Sequence, residues 1–241
     1  MTIRICGNSH VVALQHGHGE VKDKGPKLSI FPLGGANFDN TDFSYATPEG
    51  VRFNVDLFND LLMRFTGLTH VSTEGLWGFS VGSFFSRIYA NSYWRAVAPS
   101  AVALPNHRPL TLAQVEAIVA EDQKYVLQFY KHLQQVGTNF FIIIGPPPPA
   151  NYSAIGNGVP RDTVIALETI ARRWFLEQLE KMGVRYLDVP PETVDESGFL
   201  RPEFKLDTKP DGTPDPHHAN GAYGALVVQQ IFAEIAQREA S

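Results

Sequence analysis

Apolar residues recur along this chain in two rhythms. Short, nearly unbroken runs stand at residues 2–6, at Leu28–Leu33, within His70–Phe79, at Phe140–Ile144 and at Val184–Val189. Runs of this length, bounded by glycine, proline or polar residues, predict strands. The run Phe140-Phe141-Ile142-Ile143-Ile144 carries no polar residue and predicts a strand covered on both faces. Between the runs, apolar side chains return every three or four positions, which predicts amphipathic helices over about 10–16, 54–66, 111–136, 162–182 and 219–238. The second carries Val55, Phe58, Leu61, Leu62 and Phe65, and the third carries Val115, Val119, Val126, Phe129 and Leu133 behind Thr111 as a cap. Strands that alternate with helices imply an α/β fold with a parallel sheet covered on both sides. With no internal repeat and no linker, residues 1–241 are expected to form a single domain.

Glycine and proline punctuate this pattern. Gly17, Gly19 and Gly25 predict the end of the first helix, and Gly67 and Gly183 the ends of two others. Gly34-Gly35 after the second strand permits either an ordinary turn or the close approach of a ligand to the backbone. Gly145 and Pro146–Pro149 predict an abrupt, rigid exit from the central strand, lining a site. Residues 36–52 read as a loop with room for a short hairpin, and 151–161 and 192–214 as polar loops. The stretch 84–109 is rich in aromatics and turn residues, including Asn91, Tyr93 and Trp94. It reads equally as a binding loop and as aromatics packed on a surface helix.

Composition narrows the classes. A chain that is 44% hydrophobic buries a core of its own. A net charge of −5 with no concentrated Lys/Arg run argues against a nucleic-acid partner. The single cysteine, Cys6, excludes an internal disulfide framework and is expected to be a buried apolar residue. No apolar run approaches the ~18 residues of a membrane span, and Arg4 interrupts the apolar start where a signal peptide would stand. The expectation is therefore a cytoplasmic protein without membrane contact. His10, His16 and His18 lack cysteine or carboxylate partners at ligand spacing, so no metal is expected and an exposed His-Gly loop is the simpler reading. Neither a Walker A loop nor a dinucleotide fingerprint is present, and no cofactor is called for.

Two short blocks at opposite ends of the chain carry candidate chemistry. The first is Gly7-Asn8-Ser9-His10, where Ser9 stands at a strand's carboxyl end and a helix's amino end. A serine there either caps the helix or sits where open α/β sheets build their sites. The second is Asp215-Pro216-His217-His218-Ala219-Asn220, immediately before the last helix. An aspartate and a histidine three positions apart in such a turn are able to face each other. The carboxylate then fixes the tautomer of one imidazole, which is left to take a proton from a serine. His217 competes with His218 for that role, and the spacing from Asp215 favours His218.

On these two blocks the chain resembles the SGNH hydrolase superfamily, the GDSL-type esterases. The resemblance implies a flavodoxin-like three-layer αβα sandwich with a central parallel sheet. It also implies Ser9 as nucleophile, His218 as general base and Asp215 as its orienting carboxylate, with Asn8 in place of the family's aspartate. The implied oxyanion hole takes the Ser9 N–H and a glycine after strand two, Gly35 in preference to Gly34. The family's third donor, the asparagine of a Gly-x-Asn-Asp motif after strand three, has no match. Gly78-Phe79-Ser80-Val81-Gly82-Ser83 stands there instead, so Gly82, Ser80, Ser83 or Asn91 are the substitutes to consider. Asn8, His10, Asn91, Trp94 and His217 are expected to border the substrate.

The functional expectation is a serine esterase working through an acyl-enzyme, with a small-molecule or carbohydrate ester as substrate. An acetylated sugar stacked on the aromatics of 84–108 is the favoured form. The same triad would serve an O-acetyltransferase, which differs only in the acceptor. The missing third motif also leaves open a non-catalytic carbohydrate-binding domain on the same scaffold.

Overall fold

The computed structural model describes residues 2–22, 25–34, 41–209 and 211–240. Its strands are β1 (Ile3–Gly7), β2 (Leu28–Pro32), β3 (Ser44–Thr47), β4 (Gly50–Phe53), β5 (Val71–Ser72), β6 (Leu76–Ser80), β7 (Val97–Pro99), β8 (Arg108–Leu110), β9 (Phe140–Ile143) and β10 (Tyr186–Leu187). Its helices are α1 (Val11–Glu20), α2 (Asp56–Thr66), α3 (Ser86–Tyr89), α4 (Leu112–Gln135), α5 (Ser153–Gly156), α6 (Arg161–Lys181) and α7 (Gly221–Glu239). Five strands form a central sheet in the order β10-β9-β6-β1-β2, and every pair in it is parallel.

The alternation of side chains across these strands builds the layers. Ile3 and Ile5 of β1, with Phe141 and Ile143 of β9, pack with Val11 and Leu14 of α1 and Val227, Val228 and Ile231 of α7. Cys6, Phe79 and Ile142 point to the other face and join Leu62 of α2, Val126 and Phe129 of α4, and Phe175 of α6. The sheet is thus sandwiched between helices on both sides, an α/β three-layer arrangement of the flavodoxin-like kind. Cys6 is fully buried, and that burial pushes its thiol well above the ordinary range.

Three details differ from the sequence reading, and a fourth fills it in. Helix α1 does not stop at Gly17 but continues through Gly19 to Glu20. Gly17 is a contact residue there, since a Cβ built on it would stand 2.1 Å from the backbone nitrogen of Ala225 in α7. The third apolar run is broken at Gly75, whose φ of 81° turns the chain between β5 and β6. Residues 41–52 hold the short hairpin that the sequence left room for, as the paired strands β3 and β4, which join β5 in a small antiparallel sheet; the earlier part of that loop, 36–40, lies outside the described residues. The stretch 84–109 is folded into α3, a 3-10 turn at Ser92–Arg95 and the parallel pair β7 and β8. Among the described residues no helix is long and apolar enough to cross a membrane.

One helix on each face of the sheet has its N-terminus capped by a side chain. Thr111 and Gln114 form a reciprocal capping box at α4. Asn220 caps α7 by accepting from the Tyr223 N–H, while its amide donates to the carbonyls of Glu203 and Lys205. The second pair of bonds pins the preceding loop onto the turn that carries Asp215 and His218.

Candidate active site

Ser9 lies in the turn between β1 and α1, at the carboxyl edge of the sheet. The neighbouring backbone holds that turn: the Asn8 N–H donates to the Ser80 carbonyl at the end of β6, and the Asn8 side-chain oxygen accepts from the His10 N–H at 3.0 Å. Gly7 is required just before it, because a Cβ there would stand 2.2 Å from the Ser80 carbonyl oxygen. Among the described residues nothing accepts from the Ser9 N–H, which is left as a donor beside its own hydroxyl.

The opposite end of the chain meets it. Ser9 Oγ lies 2.8 Å from Nε2 of His218, across 209 positions of sequence. Nδ1 of the same ring lies 2.8 Å from Oδ2 of Asp215. A carboxylate only accepts, so Nδ1 carries the proton and Nε2 presents its lone pair to the serine hydroxyl. The other carboxylate oxygen, Oδ1, accepts from the N–H groups of His217 and His218 at 2.8 and 2.9 Å. Burial works to raise the Asp215 value, but these two bonds and the one from the imidazole outweigh it, and the carboxyl is held below the ordinary range. The resulting relay of hydroxyl, imidazole and carboxylate has the geometry for moving one proton from Ser9 to His218 and back.

No family model and no curated protein sequence matches the chain. Solved structures do match in three dimensions. A candidate acylhydrolase from Bacteroides fragilis superposes with a TM-score of 0.50 at 10% identity, over 97% of this chain and 87% of its own. A GDSL-like lipase from Bacteroides thetaiotaomicron gives 0.49 at 11% identity, over 100% and 89%. The periplasmic domain of a lipopolysaccharide acetyltransferase from Salmonella ser. Paratyphi A gives 0.47 at 13% identity, over 98% and 83%. The chain has the SGNH-hydrolase fold.

Within that SGNH frame the other expected site residues separate into those near the relay and those away from it. His10 is near. Its ring lies 4.9 Å from that of His218 and 4.0 Å from that of Phe84. It is only 7% exposed, and burial, then the neighbouring His218, push its value down to about 3, so it is neutral under ordinary conditions. His217 is the rejected base: its ring turns edge-on to Tyr152 at a centroid distance of 5.0 Å, and burial lowers its value against the pull of Asp215. Phe84 and Tyr152 were not anticipated as neighbours of the two histidines. Each follows a strand end, but their convergence depends on how the ends of β6 and β9 lie side by side.

Trp94, Asn91 and Ser83 are engaged elsewhere, and the other expected residues are placed as follows. Trp94 is buried and its indole N–H donates to the Ile88 carbonyl, so it is a core residue of the 84–109 fold rather than a stacking platform. Asn91 caps the 3-10 turn by accepting from the Tyr93 N–H, and it borders a separate hollow with Arg87, Asp122 and Tyr125. Ser83 is fully buried and its hydroxyl donates to the Ile143 carbonyl, which ties β6 to β9. Gly82 has a φ of 67°, and a Cβ there would also stand 2.4 Å from Val126 of α4. Ser80 closes β6, and its carbonyl accepts from the Asn8 N–H beside Ser9. Gly34, at φ 136°, sits against Phe58, where a Cβ would stand 2.4 Å from the ring. Gly35 lies outside the described residues. The buried proline run does not end at the relay directly. It passes through Pro149, whose carbonyl accepts from the N–H of Tyr152, and so delivers that ring to His217.

Beside Ser9 and His218 opens a cavity of about 440 Å³. Its walls include Val12 and Ala13 from α1, Leu206 from the loop before the last helix, and Ala219. His16, Lys209 and Asp211 also border it. The sequence reading treated 192–214 only as a polar loop, so Leu206 was missed. The only available signal was its single apolar side chain between Lys205 and Asp207.

Proposed function

We propose that this chain is a serine ester hydrolase of the SGNH type, working through an acyl-enzyme. The observation that carries the reading is the unbroken contact from Ser9 Oγ to His218 Nε2 and from His218 Nδ1 to Asp215, both at 2.8 Å. In this scheme Ser9 Oγ attacks the ester carbonyl carbon while His218 Nε2 removes its proton. The carbonyl electron pair moves onto oxygen, and the Ser9 N–H is the first donor available to that oxyanion. Collapse of the tetrahedral intermediate expels the alcohol, which takes the proton from His218. A water then repeats the sequence on the acyl-serine, and the free acid leaves. Asp215 stays ionised throughout and holds the imidazole in the tautomer the first step needs.

The neutral His10 suits this cycle, since a second cation 4.9 Å from His218 would oppose the imidazolium formed in each half-reaction. The test is hydrolysis of p-nitrophenyl esters together with labelling by a fluorophosphonate. The expected result is turnover by the parent protein, loss of turnover in Ser9→Ala and His218→Ala, and a single adduct on Ser9 by intact and peptide mass. A folded protein that neither turns over nor labels is a binding domain on this scaffold, and the enzyme reading ends there.

A further inference from the structure

The cavity beside the relay has a chemical character that the sequence did not reveal. Four of its wall residues, Val12, Ala13, Leu206 and Ala219, are apolar. Val12 stands three positions beyond Ser9 and remains 38% exposed, although the residues on either side of it, Val11 and Ala13, are buried. Leu206 is held in place beside the base, because its N–H donates to the His218 carbonyl at 2.9 Å and the adjoining Lys205 pairs antiparallel with Ala219. The wall is therefore fixed to the same backbone that positions the imidazole. Lys209 and Asp211 are exposed chain positions, and the Asp211 carboxylate already accepts from the N–H and hydroxyl of Thr213. A sugar ring needs convergent donors and acceptors along its length, whereas this wall offers an aliphatic surface next to the reacting atoms. Of the aromatics expected to stack a sugar, Trp94 is in the core and Phe84 is packed against the His10 ring.

We propose that the ester taken by this site carries an aliphatic chain longer than acetyl beside the scissile bond, seated along Val12, Ala13, Leu206 and Ala219. The proposal rests on the ester-hydrolase reading and specifies its substrate class. Water is displaced from the wall as the chain is seated, and each methylene so buried is worth roughly a fourfold gain in kcat/KM until the groove is full. The chain belongs to the acyl half or to the alcohol half of the ester, and both present the same methylenes to the same wall.

Two substrate series separate these halves. In one, p-nitrophenyl acetate, butyrate, hexanoate and octanoate vary the acyl group. In the other, ethyl, butyl and hexyl acetate vary the alcohol. The expected result is a rise in kcat/KM with chain length in one series, by tenfold or more from its shortest to its best member. In Val12→Ser and Leu206→Ser the ratio of longest to shortest substrate falls by at least fivefold. Val12→Trp, which fills the groove from an exposed position, moves the optimum to a shorter chain. Rates that are flat or highest for the shortest member in both series overturn the proposal, as does a chain-length preference that all three variants leave intact. A small fluorophosphonate that labels Ser9 in every variant keeps the hydrolase reading separate, so its failure and that of the groove are told apart.

Discussion

Gly224 of α7 meets Ala13 of α1 so closely that a Cβ on Gly224 would stand 1.8 Å from the Ala13 carbonyl oxygen. The contact is mutual, since Gly17 one turn further along α1 would place a Cβ 2.1 Å from the Ala225 nitrogen. Helices normally pack about 8–10 Å apart, and two glycines at the crossing allow the nearer end of that range. The helix that begins after Ser9 is thereby pressed against the helix that begins after His218. The 2.8 Å contact between those two side chains follows from this crossing as much as from their own turns.

Gly224→Ala is accordingly expected to damage both stability and site. Forcing a methyl into a packed contact costs typically 1–3 kcal/mol, and contact with rigid backbone places this case at the upper end. Urea unfolding should give a lower midpoint. The folded fraction, assayed below the transition, should lose kcat because the two helix starts have moved apart. Gly67→Ala is the control on a glycine with open space around it, where only the φ of 73° opposes the change.

Asp215→Asn keeps the acceptor for the two backbone N–H groups but presents an amide to the imidazole. The proton on Nδ1 is then no longer demanded, and the wrong tautomer faces Ser9. The expected loss in kcat is about 10⁴-fold with little change in the midpoint of unfolding. Asp215→Ala also removes the acceptor that holds the N–H groups of His217 and His218, so it should lose stability in addition. The parent's own stability should also fall in strong acid. Asp215 is held below its ordinary value of 3.8, so its contribution is present above that pH and is lost as pH falls through the depressed value.

His10 gives a second, separable acid effect. Its folded value of about 3 lies below the ordinary 6.5 of the unfolded chain. Between those limits the unfolded state binds a proton that the folded state refuses, so stability declines as pH falls from about 6.5 toward 3. The slope from this one group is at most about 1.4 kcal/mol per pH unit. His10→Phe retains a ring against Phe84 and cannot titrate. Thermal melts from pH 7 to pH 4 should show a smaller drop in Tm for the variant than for the parent. Parallel pH dependence in the two proteins would contradict the buried, neutral state of His10.

Trp94 and Asn91 distinguish packing from recognition. Trp94→Ala opens a cavity in the core and is expected to cost about 3–5 kcal/mol of stability. Asn91→Ala removes only a cap on an exposed 3-10 turn and should cost about 1 kcal/mol. Assayed as folded protein on the same ester, Asn91→Ala should keep kcat/KM within about twofold of the parent. A large rise in KM would return the 84–109 stretch to the substrate site.

The sequence by itself determined the elements that local chemistry specifies. An apolar run ending in Gly7 predicted the strand that stops just before Ser9, and the three-residue interval from Asp215 to His218 was enough for one carboxylate to bond both a backbone N–H and the ring of the same histidine. The helices capped by Thr111 and before Tyr223 were legible for the same reason, since a cap and a 3.6-residue period act within a few neighbours. The tertiary structure alone decided what lies between distant segments. Gly17 and Gly224 are a stop and a soft spot in sequence but a helix crossing in space, and Trp94 is an aromatic in a loop until the fold closes over it. Leu206 becomes the wall of a groove only because its backbone bonds to His218. Local pattern reports the energy of a residue with its near neighbours. Close approach between residues far apart in the chain depends on how whole layers pack, and that packing is set by all the buried side chains together.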